Sequence, residues 1–366
     1  MLPEGVIFCN EFANVLTNGR TIIMNAGTLK DVANRLNLSV STVSRVVNGK
    51  GYVKEQTRKR VLECLEACNY VPNEIARSLQ ARETMTIGVV VPDLCETYFG
   101  RIIKAIDRVV TDAGYMQVVT DSGESRTQER RYLDSLYQKR VDALVLSSVD
   151  VNAPNVQRYL SSGTPVVFLD NMPHMDGEDI HYVLVDNHQA SGLAVQTLID
   201  RGHERIALVV GAQDEPTGYE RREGYCQAME RNGLVMDPAL IAVGNFKKDG
   251  GYQCMQKLLE NRQTHPFTAV HVTSEMMTIG ALQAIREAGL TVGKDISVIG
   301  FDVHDDLGLA TPTIATVRQP EDEVGQRIGK MLLQLLKPQA YGEPASTKVL
   351  VQAYLQPGSS IGERMK

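Results

Sequence analysis

The sequence has no apolar run long enough to cross a membrane, and its first 23 residues lack the basic start, apolar centre and small-residue cleavage site of a secretory signal. Its six cysteines follow neither a disulfide framework nor a zinc-ligand spacing. Cys64 and Cys68, four residues apart on a predicted helix, are interpreted as core or surface residues rather than metal ligands. These absences predict a protein of the reducing cytoplasm that has no membrane segment.

Motifs of catalysis are also missing. Gly49-Lys50-Gly51 lacks the preceding strand and following helix of a dinucleotide-binding loop, and no Gly-x-Ser-x-Gly element occurs. The seven histidines show no metal-ligand spacing, and no two acidic residues are marked by their spacing as an acid–base pair. The sequence therefore predicts neither an enzyme nor a cofactor or metal site.

Length and charge divide the chain. With 366 residues, more than one domain is expected, and the net charge of −6 argues against a general nucleic-acid binder. Residues 28–84 nevertheless hold ten Lys and Arg against six Asp and Glu, so this segment carries +4, residues 1–27 carry −1 and residues 85–366 carry −9. A basic head on an acidic body is typical of a protein that presents only its head to phosphates.

The stretch Thr28–Asn48 predicts two short helices joined by a tight turn. Thr28 and Asp31 form an approximate capping box, and Ser39 can cap a second helix that starts at Val40. A small polar outer face with one arginine fits a DNA major groove, although the spacing fits an ordinary helical hairpin with a solvated face equally well. The valine stripe of the second helix comprises Val43, Val46 and Val47, and its outer face comprises Val40, Ser41, Thr42, Ser44, Arg45 and Asn48.

The same stretch, TLKDVANRLNLSVSTVSRVVNG, is similar to the N-terminal headpiece of the lactose/galactose repressor family of bacterial transcription regulators. The resemblance implies a repressor that binds palindromic double-stranded operator DNA as a homodimer under the control of a small effector, either a sugar, a sugar derivative or a nucleoside. Both release from DNA and recruitment to DNA by the effector are known in such a family, and no cofactor is implied. The similarity continues through Tyr52-Val53, Thr57-Arg58, Asn69–Asn73 and Ala76–Leu79 and then covers nearly all of the remaining chain.

A third helix is predicted over Glu55–Asn69, with Val61, Leu62 and Leu65 inward and Arg58, Lys59 and Arg60 outward. The segment Asn73–Gln80 is too short for a stable isolated helix. The resemblance implies that it folds on operator DNA and inserts Leu79 into the minor groove, whereas the alternative is a linker residue that packs on the body. The DNA-binding residues implied are Thr28, Leu29, Val40, Ser41, Thr42, Ser44, Arg45, Asn48, Tyr70, Asn73, Ala76 and Leu79.

From Thr86 onward, short β-branched runs alternate with helical stretches, which is typical of doubly wound parallel sheets. The units are too many for one sheet, so two lobes are expected. The resulting fold class is an all-α helix-turn-helix headpiece followed by an α/β two-lobed core that resembles periplasmic binding proteins. The predicted strands are Thr86–Val91, Met116–Thr120, Ala143–Ser147, Val166–Leu169, Val183–Val185, Ile206–Val210, Ala269–Val272 and Val298–Phe301, and the predicted helices include Arg101–Ala113, Gln128–Gln138, Gln189–Arg201, Arg222–Arg231 and Met277–Ala288.

The expected domain boundaries follow from these elements and from the resemblance. Residues 1–27 are a disordered extension, of which 1–23 look like a mis-assigned start; 28–72 form the DNA-binding domain; 73–84 form the hinge helix and linker; and 85–366 form the core. Lobe 1 takes about 85–185 and 319–345, and lobe 2 takes about 186–318 and 346–366. The chain should cross between lobes near Val183–Asn187 and Thr316–Pro320, with Glu321–Leu336 in lobe 1 and Lys348–Leu355 in lobe 2.

Ligands of open α/β sheets bind beyond the carboxyl ends of the strands, and seven residues at such ends suit a polyhydroxyl effector. Tyr98, Phe99 and Phe246 can stack on a ring, and Asp170 ends the Val166–Leu169 run. Arg221 (in an Arg-x-x-Gly unit with Gly224) and Asp302 match hydroxyl-binding positions of the resembled family. Ser274 stands where the family commonly has Asn, so either the effector differs or Ser274 is an alternative helix cap. The competing hypotheses are a two-lobed solute-binding protein without a regulatory role and a sugar-modifying enzyme. Because Gln356–Lys366 has no leucine heptads, a dimer is expected rather than a tetramer.

Overall fold

The computed structural model describes residues 28–49, 51–68, 70, 83–175, 177, 180–305 and 311–363. The chain splits into two compact units at Arg82–Glu83, a headpiece and a core unit. The expected extension 1–27, the hinge segment up to residue 82 and its residues Asn73, Ala76 and Leu79 lie outside the described residues. They stay predictions.

The described part of the headpiece contains three helices, α1 (Leu29–Leu36), α2 (Val40–Val47) and α3 (Glu55–Ala67). The Thr28 hydroxyl accepts a hydrogen bond from the backbone N–H of Asp31, and the Asp31 carboxylate accepts one from the backbone N–H of Thr28 at 2.8 Å. Ser39 caps α2 through the backbone N–H of Thr42. Both predicted caps are therefore confirmed.

Five apolar side chains form the buried centre of the headpiece. Cys64 and Cys68 pack against it with their sulfurs 4.0 Å apart, as expected of core residues. Leu62 is 50 % exposed, so its predicted inward position is wrong. The inward face of α3 is defined by Val61 and Leu65, one turn apart, and Leu62 lies about 100° away around the helix. The buried residues are Val32, Ala33, Val43, Val46 and Val61.

The core unit contains two six-stranded sheets with the same strand order. The sheet of lobe 1 is wholly parallel, whereas in lobe 2 the last strand pairs antiparallel with its neighbour. Lobe 1 runs in the order β11 (Lys348–Val351), β5 (His181–Val185), β4 (Val166–Leu169), β3 (Ala143–Leu146), β1 (Thr86–Val91) and β2 (Met116–Asp121). Lobe 2 runs in the order β12 (Tyr354–Gln356), β10 (Ala315–Arg318), β9 (Ser297–Phe301), β8 (Ala269–Val272), β6 (Ile206–Val210) and β7 (Ile241–Val243).

Helices cover both sheets. In lobe 1, α4 packs against α11, and in lobe 2 α7 packs against α8 and α9 against α10. No helix in the described ranges is both long and apolar enough to cross a membrane. The helices are α4 (Thr97–Val110), α5 (Arg126–Gln138), α6 (Val156–Ser161), α7 (Asn187–Asp200), α8 (Pro216–Arg231), α9 (Lys248–Glu260), α10 (Glu275–Glu287), α11 (Glu321–Leu336) and α12 (Pro338–Tyr341), with 3-10 turns at Thr111–Ala113 and Pro238–Leu240.

Each of the eight predicted strands lies within two residues of an observed strand. All five predicted core helices begin earlier than predicted, three of them by two residues and the other two by more. α4 starts at Thr97 instead of Arg101, and α8 starts at Pro216 instead of Arg222. Their N-cap residues are Glu96 and Glu215, and neither side chain bonds to the helix it precedes. The usual capping signal is absent at both starts, which explains the late prediction.

The chain crosses between the lobes three times, after β5, after β10 and between β11 and β12. The first two crossings lie where they were predicted. The expectation that all of Lys348–Leu355 belongs to lobe 2 is wrong, because Lys348–Val351 pairs with β5 in lobe 1. The run is interrupted at Ala353, whose backbone N–H and C=O both bond to the Gln189 side chain at 3.0 and 3.2 Å.

Candidate functional site

The outer face of α2 presents a surface of small polar side chains. Ser41, Arg45 and Asn48 are exposed, and Thr42 and Ser44 are half-buried. The Val40 side chain is 45 % exposed at the start of the helix. This exposure matches the predicted outer face of the helix, and its contact with DNA stays a prediction.

Hydrogen bonds orient several of these groups. The Ser39 hydroxyl lies 2.8 Å from the hydroxyls of both Ser41 and Thr42, and Asn48 Nδ2 donates to Ser44 Oγ at 3.1 Å. Arg45 makes no hydrogen bond or ion pair with any described headpiece residue, so its guanidinium is available to a phosphate or a guanine.

The remaining described members of the DNA-binding set have structural contacts. Thr28 caps α1, Leu29 packs against the headpiece centre, and the backbone N–H of Tyr70 donates to Leu65 C=O at 3.0 Å. Sequence reasoning did not assign a role to Tyr52, which is 88 % exposed. An exposed aromatic beside a basic helical unit is the signal that could have identified it.

In the core unit, a cleft of about 780 Å³, including its open mouth, lies beyond the carboxyl ends of the strands. The structure brings together all seven residues of the predicted effector site around this cleft, although they come from separate stretches of the chain. They are Tyr98, Phe99, Asp170, Arg221, Phe246, Ser274 and Asp302.

One wall of the cleft is aromatic. The rings of Tyr98 and Phe99 meet edge to face with centroids 5.1 Å apart. Tyr98 is 7 % exposed, and its hydroxyl has no hydrogen-bond partner among the described residues. Phe246 follows β7 with φ of 60°, and its ring occupies the space that a Cβ on Gly211 would need. Glycine at 211 is therefore required for this position of the Phe246 ring.

Arg221 lies buried on the lobe 2 side. Its Nε donates to Asn187 Oδ1 at 2.8 Å, and its Nη1 donates to the backbone C=O of Thr273 at 2.7 Å. The guanidinium stacks on the Phe301 ring, 3.8 Å from the centroid. Within the described chain, Nη2 makes no hydrogen bond, which leaves it available to a ligand.

Asp302 is fixed by the chain crossing that follows β10. Its two carboxylate oxygens accept hydrogen bonds from the backbone N–H and the Nε2 of Gln319, at 2.8 and 2.6 Å. Burial raises the pKa of Asp302 to about 6, although the bonds from Gln319 oppose the rise. Gln319 also lines the cleft and was missed by sequence reasoning, although it lies in a predicted crossing.

Asp170 follows β4 and has far fewer partners. The Ser147 hydroxyl donates to it at 3.4 Å, and no ion pair joins it to a described residue. Burial raises its pKa despite the attraction of Arg221.

Ser274 is the N-cap of α10, and its hydroxyl accepts from the backbone N–H of Met277 at 3.2 Å. The neighbouring Glu275 accepts bonds from the backbone N–H and the Nδ1 of His304, at 3.0 and 3.1 Å. His304 Nε2 lies 3.1 Å from Glu321, which also accepts from Arg318 Nη2 at 3.0 Å. Burial lowers the pKa of His304, but the two carboxylates outweigh it and raise that pKa to about 9. Because Glu321 begins α11, this network joins the two lobes.

Three further acids, Glu96, Glu124 and Glu215, line the cleft and were also missed. Burial, together with nearby Asp170 and other carboxylates, raises the pKa of Glu96 to about 8 and that of Glu215 to about 7. At the same mouth, Lys247 of lobe 2 forms ion pairs with Glu124 and, at 3.4 Å, with Asp93 of lobe 1. The cleft thus combines stacking rings, one buried guanidinium and several carboxylates, a set suited to a ring-shaped polyhydroxyl ligand.

Comparison with known proteins agrees with this division of the chain. Residues 28–73 match the family model described as bacterial regulatory proteins, lacI family, and residues 84–356 match periplasmic binding proteins and sugar binding domain of LacI family. The chain is 33 % identical to the HTH-type transcriptional repressor CytR of Escherichia coli K12, over 87 % of this chain and 92 % of that one. It is 35 % identical to the ribose operon repressor of the same strain, over 82 % and 90 %. The crystal structure of the lac repressor dimer bound to operator and the anti-inducer ONPF superposes with a TM-score of 0.78 at 27 % identity, covering 92 % of this chain and 99 % of that one.

Proposed function

Because the chain belongs to the LacI family of bacterial transcription regulators, we propose that α2 recognises operator DNA and that the core cleft binds the effector that controls this recognition. The protein is a DNA-binding transcriptional repressor with a sugar-binding regulatory unit. The assignment of the cleft is supported by one observation above all: seven side chains from separate parts of the chain line a single cavity.

On the DNA side, a homodimer places one α2 in each half-site of a palindromic operator. Val40 and Ser41 open α2 and therefore determine the half-site preference, while Arg45 binds a phosphate or a guanine. The segment 73–84 links headpiece and core, and Leu79 enters the minor groove. The protein works in the cytoplasm, where the chromosome lies, and has no catalytic role.

On the effector side, a sugar-like ligand contacts Arg221 and Asp302 of lobe 2 and Tyr98 and Asp170 of lobe 1. A ligand held by both lobes changes their relative position at the three crossings, and this change alters operator affinity. By linkage, effector and operator must change each other's affinity by the same factor.

The test measures operator binding by fluorescence anisotropy, with operators found by footprinting the flanking genome, while sugars and nucleosides are added. Arg221→Ala and Asp302→Ala should each abolish the effector response and leave operator affinity within about threefold. A normal response in either variant would remove that residue from the site. Effector binding without any operator would favour the solute-binding alternative, and chemical turnover of the sugar would favour an enzyme.

A second experiment examines the headpiece alone. Exchanging Val40 and Ser41 together for other residues should change the preferred half-site sequence and leave effector affinity as it is. An unchanged operator consensus after selection from a random DNA library would show that other residues contact the bases.

A further inference from the structure

We propose that the effector carries a protonated amine in addition to its hydroxyl groups, and that Glu96, Asp170 and Glu215 together bind this amine. The inference rests on the effector cleft proposed above and specifies which chemical class of ligand that cleft takes.

The charges that line the cleft are strongly unbalanced. Six carboxylate side chains face one guanidinium, that of Arg221. Three of the six have partners in the described structure: Glu124 pairs with Lys247, Glu275 with His304 and Asp302 with Gln319. The six are Glu96, Glu124, Asp170, Glu215, Glu275 and Asp302.

The other three carboxylates have no ion-pair partner among the described residues. Glu96 and Glu215 make no side-chain hydrogen bond there either, and Asp170 accepts only the 3.4 Å bond from Ser147. A carboxylate withdrawn from water without a partner is costly, and a bound cation is the group that removes this cost.

Glu96 and Glu215 occupy equivalent places in the two lobes. Each precedes a helix, α4 or α8, that follows the first strand of its sheet, and each is an N-cap residue whose side chain does not cap. Both side chains line the cleft instead. Burial raises the pKa of each of them and nearby Asp170 raises it further, so an amine bound at Asp170 would lie near an acid of either lobe.

A second, independent feature also points to a ligand. The Tyr98 side chain is 93 % buried, lines the cleft and has a hydroxyl without a partner in the described structure. This hydroxyl can bond a ligand hydroxyl, and the faces of the Tyr98 and Phe246 rings attract a cationic group as well as a sugar ring. The raised pKa values of Glu96 and Glu215 leave both groups partly or largely protonated near neutral pH, and a bound ammonium would restore their charge. An anionic ligand such as a sugar phosphate or a uronic acid would instead add a further negative charge beside these carboxyl groups.

The test is calorimetric titration of the full-length protein with sets of sugars. The members of one set share the same ring configuration, here called a frame, and differ only in one substituent. For gluco, galacto, manno and ribo frames, each set contains the neutral sugar, its amino sugar, the N-acetylated amino sugar and the acid or phosphate. In at least one frame the amino sugar should bind 10- to 100-fold more tightly than its neutral parent, as expected for charge-assisted bonds. Acetylation should remove the gain, and the acid or phosphate should bind more weakly than the neutral sugar.

Variants locate the amine. Glu96→Gln and Glu215→Gln keep the side-chain shape, so each should reduce the ratio of amino-sugar affinity to neutral-sugar affinity at least fivefold. Glu230→Gln removes an exposed carboxylate from the far end of α8 and should leave the preference unchanged. Circular dichroism checks that each variant folds. If a variant does not fold, the titrations of the wild-type protein with the ligand sets decide whether the cleft prefers an amine.

The outcomes separate this inference from the proposed function. If neutral sugars bind and release or recruit operator, but no amino sugar binds more tightly than its parent, the amine is excluded and the regulatory cleft stands. If no member of any set binds, both the amine and the assignment of the cleft are overturned. A preference for the amine that survives both Gln variants would exclude the two glutamates as its binding site.

Discussion

The two lobes place an aspartate at the same position of their sheets and treat it differently. β4 and β9 are the third strands in the order of their sheets, and each is followed by an aspartate with positive φ: 59° at Asp170 and 52° at Asp302. Asp302 accepts two short bonds from Gln319, whereas Asp170 accepts one bond of 3.4 Å from Ser147. Hydrogen bonds therefore hold the Asp302 carboxylate in place, whereas the Asp170 carboxylate is available to a ligand.

The difference is caused by the residue at the neighbouring crossing. Gln319 follows β10, and the equivalent residue after β5 is Asp186. A glutamine can donate to an aspartate, whereas an ionised aspartate cannot. Asp186 instead caps α7 by accepting from the backbone N–H of Gln189 at 2.9 Å. A repeated strand order therefore does not imply repeated chemistry. Both the backbone and the side chain of Gln319 donate to Asp302, whereas the Asp186 backbone N–H donates to Val351 C=O at 3.0 Å and its side chain caps α7.

The largest expected effect is on stability at these aspartates. Asp302→Ala should lower the free energy of unfolding by about 3 kcal/mol, because Gln319 loses both acceptors in a buried place. Asp170→Ala should not lower it, because hardly any bond is lost and a buried carboxylate without an ion-pair partner among the described residues is removed. Urea unfolding of both variants measures the difference. Equal losses in the free energy of unfolding would mean that both aspartates are held equally by hydrogen bonds, which would contradict the comparison.

The second prediction concerns the equivalent glutamates Glu96 and Glu215. The folded-state pKa of each lies above the unfolded value of about 4.5, so the folded state binds the proton more tightly. Proton binding therefore stabilises the folded state. This stabilisation is complete below the unfolded-state pKa and is lost as pH rises through about 7 for Glu215 and about 8 for Glu96. At pH 8.5, Glu96→Gln and Glu215→Gln should each stabilise the protein by on the order of 1 kcal/mol, since partial exposure screens the charges.

Thermal melts from pH 5 to 9 check this, with Glu230→Gln as the exposed control on the same helix. The two cleft variants should show a flatter pH dependence than wild type, and the control should follow wild type. A steeper decline with pH in either cleft variant would contradict the argument.

The third prediction compares the residues that follow β1 and β6, Pro92 and Gly211. Gly211→Ala should displace the Phe246 ring and weaken effector binding about tenfold, with a loss of about 1 kcal/mol in stability. Pro92→Ala leaves that ring in place and should cost about 0.5 kcal/mol, through the entropy of the unfolded chain. Calorimetric titration with the effector and urea unfolding of both variants would show whether the aromatic wall of the cleft depends on Gly211 and not on Pro92.

The smallest effect is expected from two buried hydroxyls. Tyr98→Phe removes a hydroxyl without a partner in the described structure, so stability should change by less than about 0.3 kcal/mol while effector affinity falls a few-fold. Tyr225→Phe in lobe 2 removes the hydroxyl that donates to Ile206 C=O at 2.9 Å and should cost about 1 kcal/mol. A larger stability loss at Tyr98 would reveal an internal partner for its hydroxyl.

Local signals explain what could be predicted from the sequence. Thr28 and Ser39 were identifiable as caps because each lies directly before an apolar helical pattern. Tyr98, Phe99 and Asp170 were identifiable because they follow strands whose ends parallel sheets bring together on one side. Arg221, Phe246, Ser274 and Asp302 were identified with the help of the family resemblance as well.

What sequence reasoning missed depends on contacts between distant segments. Glu96 and Glu215 start helices without capping them, so no local pattern marks them. The run Lys348–Leu355 looks like one strand, and its division depends on the Gln189 side chain, 164 residues away from Ala353. Gln319 gains its role only because β10 lies beside β9.

β11 and β12, which form one outer edge of each sheet, both come from the last part of the chain. On the ribosome, neither lobe can complete its sheet until almost the whole protein has been translated. The described helices of the headpiece, by contrast, form their buried centre within residues 28–68 and can fold long before. A nonsense codon just after Tyr341 would therefore remove an edge strand from both lobes at once, which makes the end of the reading frame as vulnerable as its middle.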